Sequence, residues 1–383
     1  MKKLAIISTH PIQYNAPLFR LLAESEKLDV HVFYTWSQAE ESIEDAEFKQ
    51  QIVWDIPLLE GYEYSFVENI STYPKQHFKG LVNPGLIPAI ETWGADVVLV
   101  FGWNFQSHFK AMRYFKGKIP VWFRGDSTLL NVKNNIKGII RYISLRWIYR
   151  FVDKAFYVGE NNRHYFERYG LRKHQLRFAP HAVDNCRFGQ PGSEEQSLQW
   201  RRELGYADND IVIVYAGKFI KCKGLVSFVK QFKNYKDQYP KSNFELLLIG
   251  NGELEAELKS MQNNAIKFLT FQNQSKMPLI YCLGNIFVLP SNSETWGLGI
   301  NEAMASGRAV IVTKNVGCAV DLVEDGKNGY YFDLENSEAN IKMFKKIEHS
   351  NLKEIGVTNK ISISKWSYKE IVTSIENAAY EKE

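Results

Sequence analysis

The chain has 383 residues, 45% of them hydrophobic and 23% charged, with a formal net charge of +4. That length is too great for one typical core and favours two domains. The mild charge excludes a nucleic-acid footprint while leaving room for attraction to anionic substrates or lipid headgroups. Aromatics make up 14%, enough for large cores, sugar-stacking surfaces or a membrane-facing belt. The four cysteines, Cys186, Cys222, Cys282 and Cys318, are widely spaced with no C-x-x-C. This argues against a zinc site or a disulfide framework and fits a reducing cytoplasm. The apolar run after Met1-Lys2-Lys3 is too short for a signal peptide, and no stretch approaches the roughly 20 residues that span a bilayer.

The first half alternates buried-strand signals with helical segments. Leu4–Ile7, Val30–Tyr34, Asp96–Phe101, Pro120–Phe123 and Lys154–Val158 are the strands. The alternation predicts an α/β lobe with a doubly wound, Rossmann-like parallel sheet. Its strands end in polar turns that share one rim: His10, Gly102-Trp103-Asn104, Arg124-Gly125-Asp126-Ser127 and Gly159-Glu160-Asn161. His10 stands in the first strand-helix turn, where a histidine is either a structural hydrogen-bonder or part of a site. Asp126 reads equally as the cap of the next helix or as an acceptor-binding or general-base carboxylate, and Arg124 as a site residue or a structural ion pair. Residues 133–151 carry Ile136, Ile139, Ile140, Ile143, Trp147 and Phe151 at helical spacing, which predicts a core-facing stripe. The opposite side mixes Lys137 and Arg141 with Tyr142, Leu145, Ile148 and Tyr149. As an outer face it would suit contact with an anionic membrane; packing under a second layer explains the same residues.

Pro180-His181-Ala182-Val183-Asp184 reads as the crossing into a second domain, and residues 189–210 as a linker with a surface helix. A second strand-helix series follows, with strands at Ile211–Gly217, Glu245–Gly250, Ile266–Leu269, Ile286–Leu289 and Val310–Thr313. The expected organisation is a first lobe over 1–180, a second over 181–365 and a helix over 366–383 crossing back to the first, with a cleft between lobes. Asp208-Asn209-Asp210 has the form of a metal-binding D-x-D, but its setting before a strand favours a solvated turn. Gly250-Asn251-Gly252 lacks the third glycine of a dinucleotide fingerprint, and Gly217-Lys218 lacks the flanks of a P-loop. Lys218, Lys221 and Lys223 follow a strand end, where ammonium groups and helix-end amides suit a diphosphate.

The densest signal is Pro290–Gly307, a strand-loop-helix-strand unit with Glu294 in the loop and Glu302 inside the helix. Such loops open at the carboxyl edge of a parallel sheet, where anionic ligands bind. This stretch, continued through Val316–Gly329, resembles the E-x(7)-E segment of the retaining nucleotide-sugar glycosyltransferases of family four, which have the two-lobed GT-B fold. Lys218 and Lys223-Gly224 resemble that family's Arg and Lys-Gly pair with Lys for Arg, a change that keeps charge but loses the bidentate fork. His10-Pro11-Ile12-Gln13-Tyr14 through Arg20 resembles a subgroup that builds bacterial surface polysaccharides such as O-antigen.

The resemblance implies a donor site on the second lobe. Glu294 would contact the donor sugar, amides from Thr295, Trp296, Gly297 and Leu298 would hold sugar and phosphate beside Gly217, and Glu302 would bind the ribose. Lys218 and Lys223 would stabilise the departing diphosphate without a metal or other cofactor. Family members often place a histidine where Phe123-Arg124-Gly125-Asp126 stands; this chain has none there, and whether His10 or Asp126 replaces it is left open by the sequence. The implied partners are a nucleotide-sugar donor and a glycan or lipid-linked glycan acceptor, in the cytoplasm or at the inner face of the inner membrane. Alternatives of the same fold are a nucleotide-sugar 2-epimerase and a non-catalytic donor-binding partner of another transferase.

Overall fold

A computed structural model describes residues 1–37, 43–45, 50–52, 55–130, 132 and 135–381. The chain divides into two compact units. The first holds Met1–Ile43, Gln51–His181 and Tyr368–Glu383; the second holds Glu44–Gln50 and Ala182–Ser367.

The first lobe contains β1 (Lys2–Ser8), β2 (Leu28–Tyr34), β3 (Ile43–Asp45), β4 (Gln50–Ile52), β5 (Glu63–Phe66), β6 (Val97–Phe101), β7 (Val121–Arg124), β8 (Lys154–Tyr157) and β9 (Leu176–Phe178), although parts of β3 and β4 fall to the second unit. Seven of these form one sheet in the order β5-β2-β1-β6-β7-β8-β9, and β3 pairs with β4 in a separate two-stranded sheet. Every pairing in the large sheet is parallel. Strands buried on both faces need apolar side chains at every position, so Leu4–Ile7 and Val97–Val100 sit opposite one another with almost no exposure. The edge strands β5 and β9 escape sequence reading because they are short and partly exposed.

The second lobe contains β10 (Ile211–Ala216), β11 (Phe244–Ile249), β12 (Ile266–Leu269), β13 (Ile286–Leu289), β14 (Ala309–Val312) and β15 (Gly329–Tyr331). Their order is β12-β11-β10-β13-β14-β15, again all parallel. In each lobe the first strand is flanked by its successor on one side and by a later strand on the other. That is a topological switch point, where the chain leaves adjacent strand ends in opposite directions and opens a crevice. The doubly wound expectation is met in both lobes.

The helix Tyr368–Tyr380 belongs to the first unit. Glu376 accepts from Ser25 and Lys27, and Glu381 binds Arg177 and Lys154. Among the described residues no helix is long and apolar enough to cross a membrane.

The stripe predicted on residues 133–151 is the clearest reversal. The helix spans Ile136–Tyr149, capped by Asn135, while Lys133 and Asn134 lie outside the described residues. Its buried side is Leu145, Ile148 and Tyr149; Ile136, Ile139, Ile140 and Ile143 are exposed. The inward face is decided by rings already in the lobe, since Tyr149 packs edge-on against Phe123 at 5.6 Å and Phe166 at 5.6 Å. Of the two readings open for Tyr149, Leu145 and Ile148, an outer membrane-facing side or packing under a second layer, the structure has the second, and Arg141 lies on the same side, bonded to Tyr165.

Candidate functional site

The second-lobe site grows from two neighbouring strands. Ile213 and Val214 of β10 lie opposite Ile286 and Phe287 of β13. The chain leaving β10 runs through Gly217 and Lys218 to a helical turn at Lys221–Lys223; the chain leaving β13 runs through Pro290 to Glu294. Asn292 stitches the two loops, its amide donating to the Cys222 carbonyl at 2.8 Å and its side chain to the Lys221 carbonyl at 3.0 Å. Gly224 makes this approach feasible: its φ is +66°, and a Cβ there would collide with the Pro290 carbonyl. The two loops so joined bring the Lys223 ammonium onto a carboxylate oxygen of Glu294, with the side chains 22% and 19% exposed. Tyr215 donates to the Lys218 carbonyl at 2.8 Å, and burial holds its phenol protonated.

The Glu294 loop is pinned from its other side. Glu294 and Val316 form a parallel bridge. The Gly317 amide donates to the Glu294 carbonyl at 3.1 Å and the Cys318 amide to the Trp296 carbonyl at 2.9 Å. The Trp296 indole N–H donates to Asn301 at 2.9 Å, and its ring lies 5.2 Å from that of Trp366. Gly297, at φ +99°, turns the chain into the helix Leu298–Ala305. The first amides of a helix have no acceptor inside it and lie at the positive end of its dipole. Glu302 is 3% exposed and accepts the Tyr281 hydroxyl at 2.5 Å. Thr295, by contrast, is exposed.

In the first lobe the expected site residues are held separately. His10 contacts Thr9 at 3.0 Å and sets its ring edge-on to Trp36 at 5.7 Å; burial lowers its pKa to about 4. Asp126 lies 3.7 Å from His181 Nε2, and burial also lowers the His181 pKa, against the pull of that carboxylate. Among the described residues Asp126 caps no helix, because the next one starts at Ile136 with Asn135 as its cap. Arg124 is a buried backbone clamp rather than one half of a close ion pair, donating to the carbonyls of Ala179 at 2.7 Å and Pro180 at 2.9 Å. Asp208 is 78% exposed in a turn, as its setting suggested. Tyr281, Asn301 and Trp366 were not singled out by sequence reasoning. Tyr281 serves Glu302 and Trp366 serves Trp296 through tertiary contacts that leave no mark on local pattern, while Asn301 serves Trp296 from five residues away.

Two doubly wound parallel sheets in one chain, each opening its loops at a switch point, define the GT-B class of fold. Residues 196–359, within the second lobe, match the family model of the glycosyl transferases group 1. A D-inositol 3-phosphate glycosyltransferase of Corynebacterium jeikeium is 27% identical over 230 residues, covering 55% of this chain and 54% of the relative. An N,N'-diacetylbacillosaminyl-diphospho-undecaprenol alpha-1,3-N-acetylgalactosaminyltransferase of Campylobacter jejuni is 26% identical, covering 50% of each chain. The chain thus spans about half the length of these curated relatives. Among solved structures, HepE of Anabaena in complex with UDP and glucose superposes with a TM-score of 0.70 at 16% identity, covering 100% of both chains.

Proposed function

We propose that this protein is a retaining, metal-independent glycosyltransferase that moves a sugar from a nucleoside-diphosphate sugar to a glycan or lipid-linked glycan, in bacterial surface-polysaccharide synthesis. The observation that carries the reading is the meeting of Lys223 and Glu294 from two adjacent strand ends, with Glu302 on the helix that follows. Without ligand the two charges neutralise each other. A bound donor offers each a better partner: the diphosphate for Lys223, and a sugar hydroxyl for Glu294. Lys218 lies at the start of the same loop and adds positive charge where the diphosphate departs. The amides at Thr295 to Leu298 supply fixed dipoles aimed at that charge, and Glu302, oriented by Tyr281, accepts from the ribose hydroxyls.

Retention follows if the acceptor attacks from the face the diphosphate is leaving, with a leaving phosphate oxygen taking the acceptor proton. The carbon–oxygen bond to the donor phosphate breaks as the new glycosidic bond forms, and the proton ends on the released nucleoside diphosphate. In this reading Asp126 and His10 are acceptor-side groups of the first lobe. The activities in the relatives' names support the substrate class: one acts on an inositol phosphate, the other on a diphospho-undecaprenol-linked sugar. Four free thiols, two of them exposed, accord with a reducing cytoplasm.

A thermal-shift panel of nucleoside-diphosphate sugars, followed by product analysis with chelator present, tests the proposal. The cognate donor raises the melting temperature, because it binds only the folded state, and transfer to acceptor continues in chelator. Quantitative epimerised sugar without acceptor would make the protein an epimerase, and donor binding without turnover would make it a binding partner.

A further inference from the structure

The helix Ile136–Tyr149 leaves an apolar stripe in water. Ile136, Ile139, Ile140 and Ile143 are 77%, 62%, 61% and 64% exposed, and Trp147 is 44% exposed. Their spacing sets all five along one line of a helix about 21 Å long. At its end Trp147 packs 5.3 Å from Phe109, a core ring that is only 9% exposed. A contiguous exposed apolar surface of this kind marks an interaction site.

The charges around it are of one sign. From Ser127 to Val152 the chain contains Lys133, Lys137, Arg141, Arg146 and Arg150 and neither Asp nor Glu. At 3.6 residues per turn, Lys137 borders the stripe on one side and Arg146 on the other. Arg113 holds its guanidinium 5.8 Å from both the Phe109 and the Trp147 rings. The acids of the next helix, Glu160 and Glu167, are occupied by Arg163.

We infer that this helix face docks on an anionic phospholipid surface, with the isoleucines entering the acyl boundary and the flanking cations lying among the headgroups. Such a helix lies in the plane of the interface, and Trp147 at the edge of the stripe has the amphipathic ring that favours that depth. The cation fence selects this occupant over a second copy of the chain: two such faces in register would bring like charges together with no acid to pair them. The inference concerns the opposite face from the one the helical pattern pointed to. It stands on surface chemistry alone, independent of the transferase reading.

The test is co-sedimentation of the full chain, without nucleotide, with vesicles of phosphatidylcholine alone or mixed with phosphatidylglycerol. Binding to the mixed vesicles is expected, weakening as salt is raised. Ile139→Ser with Ile143→Ser should reduce partitioning by at least about tenfold, and Lys137→Gln or Arg146→Gln by about fivefold each. These side chains are exposed, so the melting temperature should be unchanged, which separates lost docking from lost folding. Failure of the wild type to sediment with the mixed vesicles overturns the inference, as does equal binding to both vesicle types or undiminished binding by the isoleucine variant. Self-association of the wild type that the isoleucine variant abolishes also overturns it, in favour of a second copy.

Discussion

Two helical segments of similar apolar content behave in opposite ways. In Pro290–Gly307 the helix Leu298–Ala305 is buried almost all round, and the polar groups that matter, Glu294, Asn301 and Glu302, are fixed by specific bonds. In Ile136–Tyr149 the helix has apolar residues on both sides, and the lobe buries the shorter set. The contrast teaches that a polar pattern with fixed spacing identifies its own chemistry. An apolar pattern identifies only a face, and leaves open whether protein or something else covers it.

The largest effect that sharpens the comparison is chemical. Glu294→Ala should lower transfer by about a hundred- to thousandfold with little change in melting temperature, because the side chain is only partly buried and its loss frees Lys223 to solvent or ligand. A drop of less than tenfold in turnover would remove Glu294 from the donor site.

Next comes a direct test of the two faces. Leu145→Ala should cost about 2–5 kcal/mol of stability, while Ile143→Ala, two residues earlier, should stay within about 0.5 kcal/mol. Urea unfolding of the pair settles it, and equal losses would show that the isoleucine side is covered by protein in solution.

Tyr281→Phe removes the donor to a Glu302 carboxylate that is 3% exposed. It should cost about 1–3 kcal/mol and weaken nucleotide binding by calorimetry. A variant with wild-type stability and wild-type nucleotide affinity would argue against Tyr281 as the group that orients Glu302.

The last effect is a pH dependence that belongs to the first lobe. Burial holds both His10 and His108 near pKa about 4, and His108 is locked between the Thr35 hydroxyl and the Gly102 carbonyl, each at 2.9 Å. Because their folded values lie below the ordinary 6.5, the unfolded chain takes up protons first as the pH falls. Stability from these groups is complete above pH 6.5, is lost as the pH falls toward about 4, and is level below that. Calorimetric unfolding at pH 5.5 in buffers of different ionisation enthalpy should show uptake of about two or more protons. Uptake near zero would mean that these rings are solvated.

The central strands were legible because a strand covered on both faces must be apolar throughout, as Leu4–Ile7, Ile211–Val214 and Ile286–Leu289 are. The short strands β5, β9 and β15 were not, since three or four residues at or near a sheet edge carry little pattern. The Glu294 loop was legible as a contiguous motif. Its partners were not, because the Lys221–Lys223 turn, Tyr281 and Trp366 meet it across the fold.

From the sequence alone follow the two doubly wound sheets, the loops at strand ends that carry Lys218, Lys223 and Glu294, the helix that carries Glu302, and the sequence limits of the 136–149 helix to within a few residues. These depend on local periodicity and turn chemistry, which the chain carries at each point. The tertiary structure alone decided that Lys223 pairs with Glu294, that Arg124 clamps backbone, that Asp126 sits beside His181, and that the isoleucine stripe faces outward. Each depends on which surfaces remain once the sheets have closed. For the stripe, the Phe123 and Phe166 rings had already taken up Tyr149, and a helix can turn only one side to a core.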